Sequence, residues 1–174
     1  MLLHGMFVGA ESWEACGTWL QKKWPVYVPE LPIFDMPYKQ VGLNSLVDYI
    51  KRMLDDKKIE RIVLGGNSLG GHVALKFALT YPDRVAGLVL VGSSGLFNRT
   101  NHKTPHHPSR EWVREKMKEV FFDEAHITEV LVRKVHETIS SPVQARKVVR
   151  MARSAKHDNL REELSHLSCP VMLI

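Results

Sequence analysis

The pentapeptide Gly66-Asn67-Ser68-Leu69-Gly70 constrains this chain more than any other segment. It follows a short apolar run at residues 61–64 and opens a helical stretch at 72–79. A G-x-S-x-G at a strand-to-helix turn predicts a nucleophile elbow, with the serine on a tight turn and glycines where neighbouring backbone passes too close for a side chain. The Ser68 hydroxyl is then expected at the C-terminal edge of a parallel sheet. There it lies beside a helix N-terminus whose free N–H groups favour developing negative charge. Three specified positions also arise by chance, so the strand–turn–helix context carries the assignment rather than the letters alone.

The surrounding pattern agrees. Residues 1–3, 26–28, 61–64 and 85–91 read as strands, and the last is almost continuously apolar, as expected for a sheet covered on both faces. Between them Leu43, Leu46, Val47, Ile50, Met53 and Leu54 recur at helical spacing, with Ser45 and Asp48 as a candidate capping box. The helix after the elbow is expected to stop at Pro82. Strands separated by helices imply right-handed crossovers and a parallel sheet. From 97 to 158 no strand is predicted. A polar loop at 98–109 precedes three helices, one bearing Trp112, Val113, Met117, Val120 and Phe121, one bearing Leu131, Val135 and Ile139, and one starting at Ser141-Pro142. A short helix at 159–166 leads into a final apolar strand at 169–174.

Composition narrows the function classes. The 174 residues suit one domain or one domain with an insertion, and 44% hydrophobic with 25% charged residues describe an ordinary globular protein. The net charge of +5 comes without an evident Lys/Arg block, and basic residues are expected to alternate with acidic ones in the helices. A nucleic-acid partner is therefore not expected. No apolar stretch is long enough for a membrane helix and no signal peptide is visible, so the expectation is a cytoplasmic protein without a membrane partner. Cys16 and Cys169 lie far apart and fit reduced thiols. The cluster His102, His106 and His107 has no carboxylate or cysteine spaced to complete a metal site, so neither metal nor cofactor is expected.

The ordered motifs resemble the α/β-hydrolase family. His4-Gly5-Met6-Phe7 is similar to its oxyanion loop, residues 66–70 to its elbow, 28–32 and 81–85 to segments flanking its central strands, and 97–158 to its helical cap. The resemblance implies an α/β fold with a mostly parallel sheet flanked by helices and an inserted all-helical cap. Its divisions are a first part of the core at 1–96, the cap at 97–158 and a return to the core at 159–174. It implies Ser68 as nucleophile, the backbone N–H of Leu69 as one oxyanion donor, and a second donor from the His4-Gly5 loop, Met6 or alternatively Phe7. Phe7 and Asn67 are expected against substrate, while His4 is expected to brace the loop. The implied reaction is that of a serine esterase acting on an ester or similar carbonyl of a small, largely apolar substrate. Alternatives are C–C bond hydrolysis of the aromatic-degradation type, suggested by Asn67 in Gly-Asn-Ser-Leu-Gly-Gly, and a non-catalytic ligand-binding member of the fold.

One departure matters. The family places an acid and then a histidine after the nucleophile, and the resemblance puts both beyond Ile174. Gly92-Ser93-Ser94-Gly95 offers no acid, and His72, His126, His136, His157 and His166 read as surface or cap residues. An apolar strand ending in a chain-terminal carboxylate, and another strand starting at Met1, are costly if buried. The expectation is a piece of a longer hydrolase, inactive alone because serine at its normal pKa is a poor nucleophile. The oligomeric state is not legible.

Overall fold

A computed structural model describes residues 1–96 and 108–174. Four strands, β1 (Leu2–Leu3), β2 (Ile62–Asn67), β3 (Val85–Val91) and β4 (Val171–Leu173), form one sheet in that order, and every pair is parallel. Leu3 lies opposite Gly66, Gly66 opposite Leu90, and Leu90 opposite Leu173. The helices are α1 (Glu14–Leu20), α2 (Leu43–Asp56), α3 (Leu69–Thr80), α4 (Arg110–Lys118), α5 (Glu129–Ser140) and α6 (Pro142–His157). Contacts divide the chain into two compact units, Met1–Asn98 with Arg150–Ile174, and Arg99–Val149.

The first unit holds the sheet. Its core joins Leu3, Leu64, Val85, Leu88 and Leu90 from the strands to Leu43, Leu46, Val47, Ile50 and Leu54 from α2. The α2 residues recur every three or four positions, so one stripe of that helix is buried. Nine of the twelve residues of α3 are buried, which makes it a central helix rather than a surface one. The second unit is helical among its described residues. Val113 and Met117 of α4 are buried, as are Val132 and Val135 of α5. Its helices are capped locally: Ser109 accepts from the Trp112 N–H and Thr128 from the Leu131 N–H, each at 3.2 Å.

Several sequence expectations are corrected. Residues 26–28 form no strand, although the Leu2 N–H donates to the Tyr27 carbonyl at 2.8 Å. Pro25 and Pro29 flank the segment without N–H groups, and too few ladder bonds are left. The proposed capping box at Ser45 and Asp48 does not start α2, which begins at Leu43 after Gly42 with no side-chain cap of its own. Its first N–H, from Leu43, donates instead to Ser154 Oγ at 2.9 Å, 111 residues away in sequence. The helix expected at 159–166 is reduced to a 3-10 turn at Leu164–His166, because Asn159 Oδ1 captures the Arg161 N–H at 3.0 Å and fixes a turn. Nor is charge evenly mixed everywhere: α6 carries Arg146, Lys147, Arg150, Arg153 and Lys156 and no acid. Finally, β4 is exposed rather than buried.

Candidate active site

The elbow is built by close approaches that only glycine permits. A Cβ on Gly66 would lie 2.4 Å from the Gly70 carbonyl oxygen, and one on Gly70 would lie 2.2 Å from the Leu3 carbonyl oxygen. Between them Ser68 takes φ 51° and ψ −114°, with α3 starting at the next residue. A non-glycine residue in this region costs about 1–3 kcal/mol, so the surroundings must impose it.

They do so through the Ser68 backbone. Its N–H donates to the Val91 carbonyl at 3.1 Å. Its carbonyl accepts from the His72 N–H at 3.1 Å, the Ser94 N–H at 3.1 Å and the Ser94 hydroxyl at 3.2 Å. The half-buried Asn67 side chain donates to the same Val91 carbonyl at 3.1 Å, so it braces the end of β3. The Ser68 side chain is half-buried and its Oγ has no hydrogen-bond partner among the described residues.

The second wall is the loop after β1. Leu3 and His4 carbonyls pack against Gly70, and a Cβ on Gly5 would lie 3.6 Å from Ser68 Cβ. His4-Gly5 therefore runs directly beside the elbow, and the half-buried Met6 and Phe7 form the turn that follows. His4 is buried, and its bonds define its role. The Leu31 N–H donates to Nε2 at 2.8 Å, so Nε2 is an acceptor and the proton sits on Nδ1, which donates to the Gly5 carbonyl at 2.7 Å. Glu30 Oε2 lies 3.1 Å from Nε2. The ring ties the loop to the segment at Glu30 and Leu31.

Leu69 opens α3, so its N–H has no intrahelical acceptor and stands next to Ser68. The Leu69 N–H and the turn at Met6 and Phe7 thus lie on the elements that flank Ser68.

The other histidines divide. His126, His157 and His166 are exposed and His136 is half-buried, whereas His102, His106 and His107 lie outside the described residues. His72 departs from its expected surface position: it is fully buried. Its Nε2 donates to the Asp158 carbonyl at 2.8 Å and its Nδ1 has no partner among the described residues. Burial holds its pKa below the ordinary histidine range, against the opposing effects of the Asp158 carbonyl and carboxylate. Ser94 is a neighbour of Ser68 that sequence reasoning passed over, because the contact joins the ends of two strands. For His72 a signal existed: its imidazole is followed directly by the apolar run Val73-Ala74-Leu75 of the same helix. Among the described residues no group of three His, Cys, Asp or Glu side chains is placed to hold a metal ion, and no helix is long and apolar enough to cross a membrane.

Comparison with known proteins shows the family and the fold. The family profile described as the alpha/beta hydrolase fold matches residues 1–123. A 2-hydroxy-6-oxo-6-phenylhexa-2,4-dienoate hydrolase from Comamonas testosteroni is 30% identical, over 80% of this chain and 55% of its own length. Among solved structures, a meta-cleavage product hydrolase from Pseudomonas fluorescens IP01 superimposes with TM-score 0.79 at 26% identity, over 99% of this chain and 70% of its own. An alpha/beta hydrolase from a metagenome of Mar Chica lagoon sediments, Morocco, gives TM-score 0.77 at 27% identity, over 99% and 64%. The chain spans about half the length of the curated relatives it matches.

Proposed function

The chain belongs to the alpha/beta hydrolase family, and we propose that the full-length protein is a serine hydrolase that forms an acyl-enzyme on Ser68. The observation that carries this reading is the positive-φ Ser68 at the strand-to-helix turn, at the N-terminus of α3. The Ser68 oxygen attacks a substrate carbonyl carbon and passes its proton to a general base. The Leu69 and Met6 N–H groups, with Phe7 as the alternative to Met6, hold the oxygen that becomes negative. One such donor contributes about 3 kcal/mol to the transition state. The leaving group departs with the proton, and water then releases the acid and regenerates the serine. The base and its orienting acid come from the part of the relatives' length that this chain does not span, so residues 1–174 alone are expected to be inactive.

The substrate is a small, largely apolar molecule with an ester or similar carbonyl. A second reading, C–C bond hydrolysis of an aromatic-degradation product, is supported by the names of the relatives and by Asn67 beside the nucleophile. Here the leaving group is a carbon acid rather than an alcohol.

A fluorophosphonate probe on the full-length protein tests the nucleophile. Wild type should label and Ser68→Ala should not; an unlabelled wild type would instead favour a ligand-binding member of the fold. Comparing kcat/KM for a short-chain p-nitrophenyl ester and a 2-hydroxy-6-oxodienoate then separates the two substrate readings.

A further inference from the structure

His72 sits one helical turn after Ser68, and its ring lies among the two segments that flank the insertion. On the outgoing side, residues 92–95 fold against the start of α3. A Cβ on Gly71 would come within 2.6 Å of Ser93 Oγ, and Ser94 donates twice to the Ser68 carbonyl. Gly95, at φ 108°, lies so close to His72 that a Cβ there would come within 2.6 Å of the ring. On the returning side, the Asp158 carbonyl accepts the His72 Nε2–H, and the Leu160 N–H donates to the Gly95 carbonyl at 2.9 Å. Lys76, one turn further along α3, forms an ion pair with the Asp158 carboxylate. Outgoing and returning segments are thus bonded to each other and to the helix that carries Ser68.

We infer that His72 is a positioning residue for the reaction at Ser68, its buried ring fastening residues 92–95 and 158–160 to the elbow helix. This rests on the reading of Ser68 as nucleophile. The route of action is short. The ring sets Gly95, Gly95 sets Ser94, and Ser94 holds the carbonyl of the strained serine. The Nδ1 atom has no partner among the described residues, so a ring kept only for packing would be better replaced by an apolar side chain; the Nε2 donor is what the site uses. Asp158 and Lys76 are the charged groups facing the ring, and the former lies on the segment being held.

The test uses the full-length protein as wild type, His72→Leu and His72→Gln. Leucine fills the apolar space without a donor, whereas the glutamine amide can place an N–H near the original Nε2. Two readouts apply at a temperature well below melting: the rate of fluorophosphonate labelling at Ser68, and hydrogen exchange at the Leu160 amide. A fraction of an ångström of misplacement at the nucleophile should slow labelling of His72→Leu about tenfold. Loss of the clasp should speed exchange at Leu160 at least about fivefold. His72→Gln should bring both back to within about twofold. A merely structural histidine would shift the melting temperature without this split between leucine and glutamine. Labelling of His72→Leu at the wild-type rate overturns the inference, as does failure of glutamine to restore it. A wild type that does not label overturns the reading of Ser68 instead; in that case unchanged Leu160 exchange in His72→Leu would overturn the clasp as well.

Discussion

At the scale of single residues, this protein is organised by positions where one atom more would not fit. Gly70 is the clearest, since a Cβ there meets backbone that cannot rotate away, the Leu3 carbonyl at 2.2 Å. Gly70→Ala should therefore destabilise the fold by about 3 kcal/mol or more, read from urea midpoints. A loss under about 1 kcal/mol would mean that β1 yields easily. His72 gives a pH signature at the same scale. Its folded pKa lies below the ordinary value of 6.5 because burial disfavours the charged ring. Between the two values the unfolded chain holds a proton that the folded chain refuses. Stability is complete above 6.5, falls as pH drops through that window and levels off below the folded value. Wild type should thus lose more stability than His72→Leu as pH falls from 6.5; parallel losses would count against the assignment.

At the scale of elements, local rules explain some ends and fail at others. The caps of α4 and α5 follow from Ser109 and Thr128, each three residues before the N–H it accepts, so such ends are readable from the chain. The start of α2 is not, because its cap is Ser154, brought back by α6. Ser154→Ala should cost about 1 kcal/mol in thermal or chemical unfolding, the usual worth of a hydroxyl cap. No loss would show that solvent replaces it. Strand β3 was legible to its last residue because a run of apolar residues between turn signals has no competing reading. By contrast, residues 26–28 were apolar enough for a strand, but their flanking prolines removed the donors that a ladder needs.

At the scale of the whole molecule, the sheet is unevenly covered. Its β1 end is buried, with Leu3 fully inaccessible, whereas along β4 Val171 is 41%, Met172 60% and Leu173 74% exposed. An apolar strand with an open edge is a template for further pairing. Residues 1–174 produced alone are expected to self-associate with rising concentration in sedimentation velocity, and Leu173→Lys should reduce this. Concentration-independent monomers would show that the edge is protected.

The sequence by itself determined the alternation of strands and helices, the elbow at Ser68 and the family resemblance, because each depends on neighbours within a few positions. Helical spacing, turn residues and paired glycines are local physics written in order along the chain. Only the tertiary structure decided that Gly5 lies against Ser68, that Ser94 holds the serine's carbonyl, that His72 is buried, and that α2 is capped from α6. Those contacts join residues tens to more than a hundred positions apart, and which partners meet is set by how the helices pack on the sheet. No local pattern encodes that distance.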